Sequence, residues 1–113
     1  MFMTTKKKVN NNVSKHYKNK RYKREKIIKK YINGDGKVID AFIVDKGHKN
    51  GVERHEITEH GIILIYNAKT NILVSKLIAR PNQIKRYYKK EGRKVPSNIL
   101  FIAQWHESLG YNK

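Results

Sequence analysis

The sequence predicts an α+β domain: a basic N-terminal helix, a four-stranded antiparallel β-meander, and C-terminal helices. Three observations carry that prediction. Four β-branched, apolar runs between residues 38 and 80 follow one another with short turn-forming links, the pattern of a meander. An Asn50-Gly51 pair, the strongest short-range hairpin signal, falls between the first two runs. Apolar residues at helical spacing lie before "NGDG" at 33–36 and after Pro81, outside this block.

From about Arg21 to Ile32, the residues Tyr22, Ile27, Ile28, Tyr31 and Ile32 form a helical stripe, which "NGDG" ends. "KVIDAFIVDK" reads as the first strand and "VERHEITE" as its antiparallel partner. With Asn50 and Gly51 as the turn, Lys49 faces Val52, His48 faces Glu53, Lys46 faces His55, Val44 faces Ile57 and Phe42 faces Glu59. Strands have a period of two, so all these pairs share one face. A tight turn at His60-Gly61 leads into "GIILIYN" and sets Ile57 against Leu64 and His55 against Tyr66. "NILVSKLIAR" follows the turn-like "NAKTN", and Pro81 ends this fourth strand. Beyond it, "NQIKRYYKKEG" is a short basic helix closed by Gly92, and "PSNILFIAQWHESLGYN" is a last helix running to Gly110.

The 113 residues suffice for one domain, divided here into a basic N-terminal extension, 1–20, and a compact α+β domain, 21–113. Twenty-six Lys and Arg against nine acids give a formal charge of +17, which implies a polyanionic partner, RNA or DNA. The charge is uneven. Residues 1–37 carry thirteen basic residues and two acids, whereas residues 38–80 carry six and five, so a nearly neutral middle sits between basic flanks. No apolar run is long enough to cross a bilayer or to serve as a signal peptide, so the expectation is a cytoplasmic protein with no membrane partner. The absence of cysteine excludes disulfides, thiolate zinc sites and cysteine nucleophiles. "HEITEH" is one residue longer than the spacing that puts two imidazoles on one helical face, and on a strand it sends His55 and His60 to opposite faces. Neither a metal nor a cofactor is therefore expected. The oligomeric state is open.

In the predicted register His48, His55, Glu53, Lys46 and Tyr66 gather near the hairpin. Metal-free RNA cleavage needs a base for the 2′-hydroxyl, an acid for the leaving 5′-oxygen, and cations for the phosphorane charge. Imidazoles titrate near neutral pH and suit the first two roles, with Glu53 fixing the tautomer of His48 and Lys46 supplying charge. His60 falls in the turn, outside the cluster. Nucleic-acid contacts are assigned to Arg54, Ser75, Arg80, Gln83, Lys85, Arg86 and Tyr87, with Arg21, Lys23 and Arg24 adding phosphate contacts from the basic lead.

"GHKNGVERHEITEHGIILIYNAKTNILVSKLIARPNQIKRYY", residues 47–88, following a helix, resembles the core of the small metal-independent ribonuclease fold shared by barnase, EndoU, colicin and RelE-type toxins. That resemblance implies a toxin-like or phage-encoded endoribonuclease, with an antitoxin or immunity protein as a possible partner. It also implies His48 and His55 as acid and base, Arg80 as a phosphate ligand, and Ser75 as the hydroxyl late in the sheet. The RelE branch relies instead on Lys, Arg and Tyr, and the last helix, about 97–110, lies outside the pattern. A second reading explains the charge equally: a non-catalytic nucleic-acid-binding protein of a phage or mobile element, in which the histidines are surface residues of a hairpin.

Overall fold

A computed structural model of the chain describes residues 22–47 and 51–111, so the N-terminal extension, Arg21 and His48 lie outside the described residues. The strands are β1 (Val38–Asp45), β2 (Val52–Thr58), β3 (Ile62–Asn67) and β4 (Leu73–Ile78), and they lie in that order in one sheet. Every neighbouring pair is antiparallel. Helix α1 occupies residues 22–32, with a wider π-helical turn over Ile28–Ile32. Helices α2 (Pro81–Lys90) and α3 (Ser97–Ser108) follow the sheet. This is the predicted α+β architecture. No helix among the described residues is long and apolar enough to cross a membrane.

Both faces of the sheet are covered, and period-two alternation sorts the side chains between two cores. Phe42, Ile57, Ile63 and Ile65 pack against Ile84 and Tyr88 of α2 and Ile99 and Ala103 of α3. Ile62, Leu64 and Ile78 pack under Ile28 and Ile32 of α1. Because β3 is covered on both sides, Ile62 to Ile65 are all buried, which is why this strand reads as a continuous apolar run. Burying each isoleucine contributes about 1.5–3 kcal/mol. A polar clamp ties α1 to β4. Lys76 Nζ lies 2.9 Å from Glu25 and 3.1 Å from Asp35. Burial pulls the Lys76 ammonium down, but the two carboxylates outweigh it and hold its pKa above the ordinary value. Arg24 donates to the Lys76 carbonyl at 2.7 Å, occupying an acceptor on edge strand β4.

The helix ends aim specific side chains. Gln83 Oε1 accepts the Arg80 N–H at 3.2 Å, capping the start of α2. At the far ends of α2 and α3, Gly92 and Gly110 have φ of +66° and +75°. The following N–H groups reach back, Arg93 to the Tyr88 carbonyl at 2.9 Å and Tyr111 to the His106 carbonyl at 3.3 Å. These turns return Arg93 and Tyr111 to the body of the protein. Arg93 then pairs with Asp40 at 2.7 Å. Burial raises the Asp40 carboxyl, yet bonds from Arg93 and Tyr88 prevail and leave it below its ordinary value.

Two registers differ from the sequence expectation. In the first hairpin Asp45 opposes Val52, Val44 opposes Glu53 and Phe42 opposes His55, a displacement of four residues from the predicted Lys46–His55 pairing. Strand β1 ends early because Asp45 Oδ1 accepts the Gly47 N–H at 2.8 Å, turning the chain out of the ladder. An even displacement preserves the faces, so Glu53 and His55 still share a face with Phe42 and Val44. In the second hairpin the slip is a single residue. His55 opposes Ile65, and Tyr66 opposes Arg54. Thr58 and Ile62 flank a three-residue turn in which Gly61 has φ +76°. Thr58 Oγ1 accepts the Ile62 N–H at 3.1 Å. An odd slip reverses every β3 side chain.

His106 of α3 packs against this turn and is 1% exposed. Its Nε2–H donates to the His60 carbonyl at 2.7 Å. Its Nδ1 has no hydrogen-bond partner among the described residues. Burial pushes the His106 pKa down, and the His60 carbonyl only partly offsets this. The unfolded chain therefore takes up this proton first, so His106 costs stability as pH falls through the unfolded value of 6.5 toward the lower folded one. Urea unfolding of the parent and of His106→Gln between pH 7.5 and 5.5 should show a shallower loss in the variant, by up to about 1.4 kcal/mol per pH unit. Equal slopes would mean that His106 takes up its proton equally in the folded and unfolded states, against the expected effect of its burial.

Candidate functional site

Strand β2 places Glu53 and His55 two residues apart on the face covered by α2. Helix α2 presents Ile84, Tyr87 and Tyr88 to the same face at i, i+3 and i+4 spacing. Phe42 fixes the phenol of Tyr87, stacking on it with centroids 5.2 Å apart and an interplanar angle of 19°. A hydrogen-bonded chain results. His55 Nε2 lies 2.8 Å from Glu53 Oε1, and His55 Nδ1 lies 2.6 Å from Tyr87 Oη. A carboxylate only accepts, so the neutral imidazole carries its proton on Nε2 and its Nδ1 accepts from the Tyr87 hydroxyl. Burial pushes the Tyr87 pKa up to about 12, against the pull of the Arg86 guanidinium and with the push of Glu53. Tyr87 is thus a phenol at neutral pH. Lys46 Nζ stands 4.0 Å from Glu53, at the outer end of the chain.

Other sequence candidates divide clearly. Ser75 opposes Ile65, which opposes His55, so Ser75 lies on the same face two strands away. Tyr66 does not join the cluster, because the one-residue slip puts it on the α1 side. There it lies under Arg54, whose guanidinium is 4.5 Å from the ring centroid. Arg54 also pairs with Glu56 at 2.8 Å and donates to Asn71 Oδ1 at 2.6 Å, so its planar group is engaged within the fold. Lys85 is exposed on the outer side of α2. His48, the expected partner of Glu53, and Arg21 lie outside the described residues. His60 sits in the β2–β3 turn, its Nδ1–H donating to the Gly34 carbonyl at 2.9 Å.

A cleft of about 630 Å³ opens between α1, the end of β4 and the start of α2. Lys23, Arg24, Arg80, Arg86 and Gln83, five of the predicted nucleic-acid contacts, all line it. Glu107 is its one acid, and Ile27, Leu77 and Ile78 form its floor. Four cations against one carboxylate make a focused positive potential. The cleft and the hydrogen-bonded chain meet on α2, where Arg86 lines the one and its neighbour Tyr87 belongs to the other.

Sequence reasoning placed Tyr87 among base contacts and missed its bond to His55. The signal was present in the inward spacing of Ile84, Tyr87 and Tyr88. Tyr111 was missed altogether, although it lines the cleft, and Gly110 was the clue to its return. Among the described residues no group of three His, Asp or Glu side chains is placed to hold a metal ion. Comparison with protein families, curated proteins and solved structures finds no match.

A double-mutant cycle on urea unfolding tests the arrangement. Tyr87→Phe and His55→Asn should couple by about 1–2 kcal/mol, while Tyr66→Phe and His55→Asn should add within about 0.5 kcal/mol. Coupling to Tyr66 with none to Tyr87 would restore the register in which Tyr66 faces His55.

Proposed function

We propose that the protein binds RNA in the cationic cleft and cleaves it beside Tyr87 as a metal-independent endoribonuclease. The observation that carries this reading is the convergence of Lys23, Arg24, Arg80 and Arg86 on one cleft, with Arg86 the sequence neighbour of Tyr87 in the Glu53–His55–Tyr87 chain. Phosphates in the cleft would sit against side chains that suit them, since the guanidinium groups of Arg80, at the start of α2, and of Arg86, within it, are planar donors.

The chemistry follows from the tautomer. As the 2′-oxygen attacks phosphorus, its proton passes to Tyr87 Oη while the Tyr87 proton passes to His55 Nδ1. The imidazolium so formed is stabilised by the Glu53 carboxylate at 2.8 Å. The P–O5′ bond breaks, leaving a 2′,3′-cyclic phosphate, and the 5′-oxygen takes a proton from the general acid. His48, close in the chain to Lys46, is the candidate for that acid. Arg86 would balance the charge on the phosphorane. The toxin-like resemblance and an antitoxin or immunity partner belong to the same reading.

One observation favours binding without cleavage. His55 is only 8% exposed and both its ring nitrogens are engaged, as in a histidine that serves packing. One experiment separates the readings: affinity and cleavage of labelled RNA in excess EDTA across a salt series. Contacts to four phosphates should give a log–log slope of about −3 for single strands, lowered by about 0.7 in Arg86→Ala. Cleavage should persist in EDTA and fall about 100-fold or more in His55→Ala and Tyr87→Phe while binding survives. The same salt slope without cleavage by the parent would establish the binding protein, and a flat salt response would remove nucleic acid as the partner.

A further inference from the structure

One aromatic ring, Tyr111, lines the cleft, and it opens a group of rings at the rim that phosphate binding does not explain. Tyr111 lines it and stacks on Tyr31 of α1, with centroids 5.8 Å apart and an interplanar angle of 25°. Trp105 of α3 meets Tyr111 edge-on at 6.2 Å and 83°. Three rings from three separate segments thus form one continuous group, and its outer members are open to solvent: Tyr31 is 55% exposed and Trp105 46%. Core packing does not require that exposure. Lys30 Nζ lies 5.2 Å from the Tyr31 centroid, adding a cation beside the outermost ring.

We infer that Tyr31, Tyr111 and Trp105 form a base-stacking wall that makes the cleft a site for single-stranded nucleic acid. The inference rests on the cleft reading above and adds the substrate class. Phosphates alone do not distinguish strands from duplexes, because both present the same anions. Aromatic rings do. A duplex keeps its base faces stacked on one another, whereas a single strand can turn them onto a protein ring. With cations lining the cleft and the rings running outward from Tyr111, the cleft holds a backbone and its rim receives the bases that backbone carries. The geometry at Gly110 serves this arrangement, since the turn there is what brings Tyr111 from the end of α3 to the cleft. Phe101 and Leu109 stand four residues to either side of Trp105 and are 68% and 50% exposed, so a protein-docking stripe on α3 is the competing assignment.

The chain contains one tryptophan, so tryptophan emission, excited beyond the absorption of the seven tyrosines, reports on Trp105 alone. The full-length protein is titrated with a 2′-O-methyl RNA dodecamer, which has no free 2′-hydroxyl to be cleaved, with its duplex, and with single-stranded DNA of the same sequence. Anisotropy of the labelled strands is followed in parallel. The single strand should quench Trp105 with the same saturation as binding, and the duplex should bind more weakly without quenching. Tyr31→Ala should weaken single-strand binding roughly five- to hundredfold while duplex binding changes little, and Tyr31→Phe should retain the parent affinity. Equal quenching by single-stranded DNA supports the wall as well, because base faces are common to both sugars. Salt-dependent binding without quenching, and without effect of Tyr31→Ala, overturns the wall, leaves the cleft reading standing and returns Trp105 to the α3 docking stripe. Absence of salt-dependent binding by any strand overturns both.

Discussion

The rest of the structure depends on the turn from Thr58 to Gly61. Inside it, Gly61 donates to the Thr58 carbonyl at 3.0 Å and Thr58 Oγ1 holds the N–H of Ile62, so the loop closes with three residues. Around it, four other parts of the chain attach. The Gly34 carbonyl after α1 accepts from His60, the Lys37 N–H before β1 donates to Glu59 at 2.7 Å, the Ala79 N–H after β4 donates to the Gly61 carbonyl at 2.9 Å, and His106 of α3 donates to the His60 carbonyl. A side chain at Gly61 would enter this junction, its Cβ only 2.7 Å from Ile102 and 2.9 Å from the His106 ring. The left-handed backbone there carries a further cost for any residue but glycine.

That turn decides which residues can act together. With a two-residue turn Tyr66 would stand beside His55, and the phenol of the site would come from the sheet. With three residues β3 is reversed, Ile63 and Ile65 face α2 and α3, and the phenol comes from the helix instead. Burial by itself does not choose between the two, because β3 is apolar from Ile62 to Ile65 and covered on both sides, so either orientation keeps isoleucine or leucine in both cores. What holds the three-residue turn is its own hydrogen bonding, the Thr58 hydroxyl on the Ile62 N–H and His106 on the His60 carbonyl. The position of the hydrogen-bonded chain follows from that turn, and Tyr87 reaches His55 because Phe42 and Tyr88 fix α2 over β1.

The architecture was legible because each element carries its own local signal: apolar runs for strands, Pro81 and Gly92 for the limits of α2, Gly110 for the end of α3. The basic character of Lys23, Arg24, Arg80 and Arg86 was legible too, but not that a helix and a strand-to-helix junction bring them to one cleft. Register was not. Asn50-Gly51 is a strong turn signal, but the Asp45–Gly47 bond ends β1 before it, and a turn dipeptide says nothing about a competing side-chain cap upstream. The His60-Gly61 pair failed differently, because two- and three-residue turns both want glycine at that place and only the Thr58 hydroxyl distinguishes them. Residues that meet across elements, such as Tyr87 with His55 or Tyr111 with Tyr31, leave no mark in the sequence beyond their helical faces.

Adjacency on α2 has a consequence for the proposed chemistry. Burial and Glu53 push the Tyr87 phenol up, and the Arg86 guanidinium alone among the neighbouring groups pulls it down. A phosphate bound against Arg86 would neutralise that pull. In the proposed complex, occupation of the cleft would therefore drive Tyr87 further toward the phenol and away from the phenolate. A mechanism that needs a preformed phenolate would be weakened by its own substrate, whereas one that passes the phenol proton to His55 as a new proton arrives would not. The imidazole must then be neutral when the strand binds, and the Glu53 carboxylate holds its Nε2–H so that Nδ1 is left to receive. In the proposed reaction binding and proton transfer would thus be linked in sign through two consecutive residues of one helix.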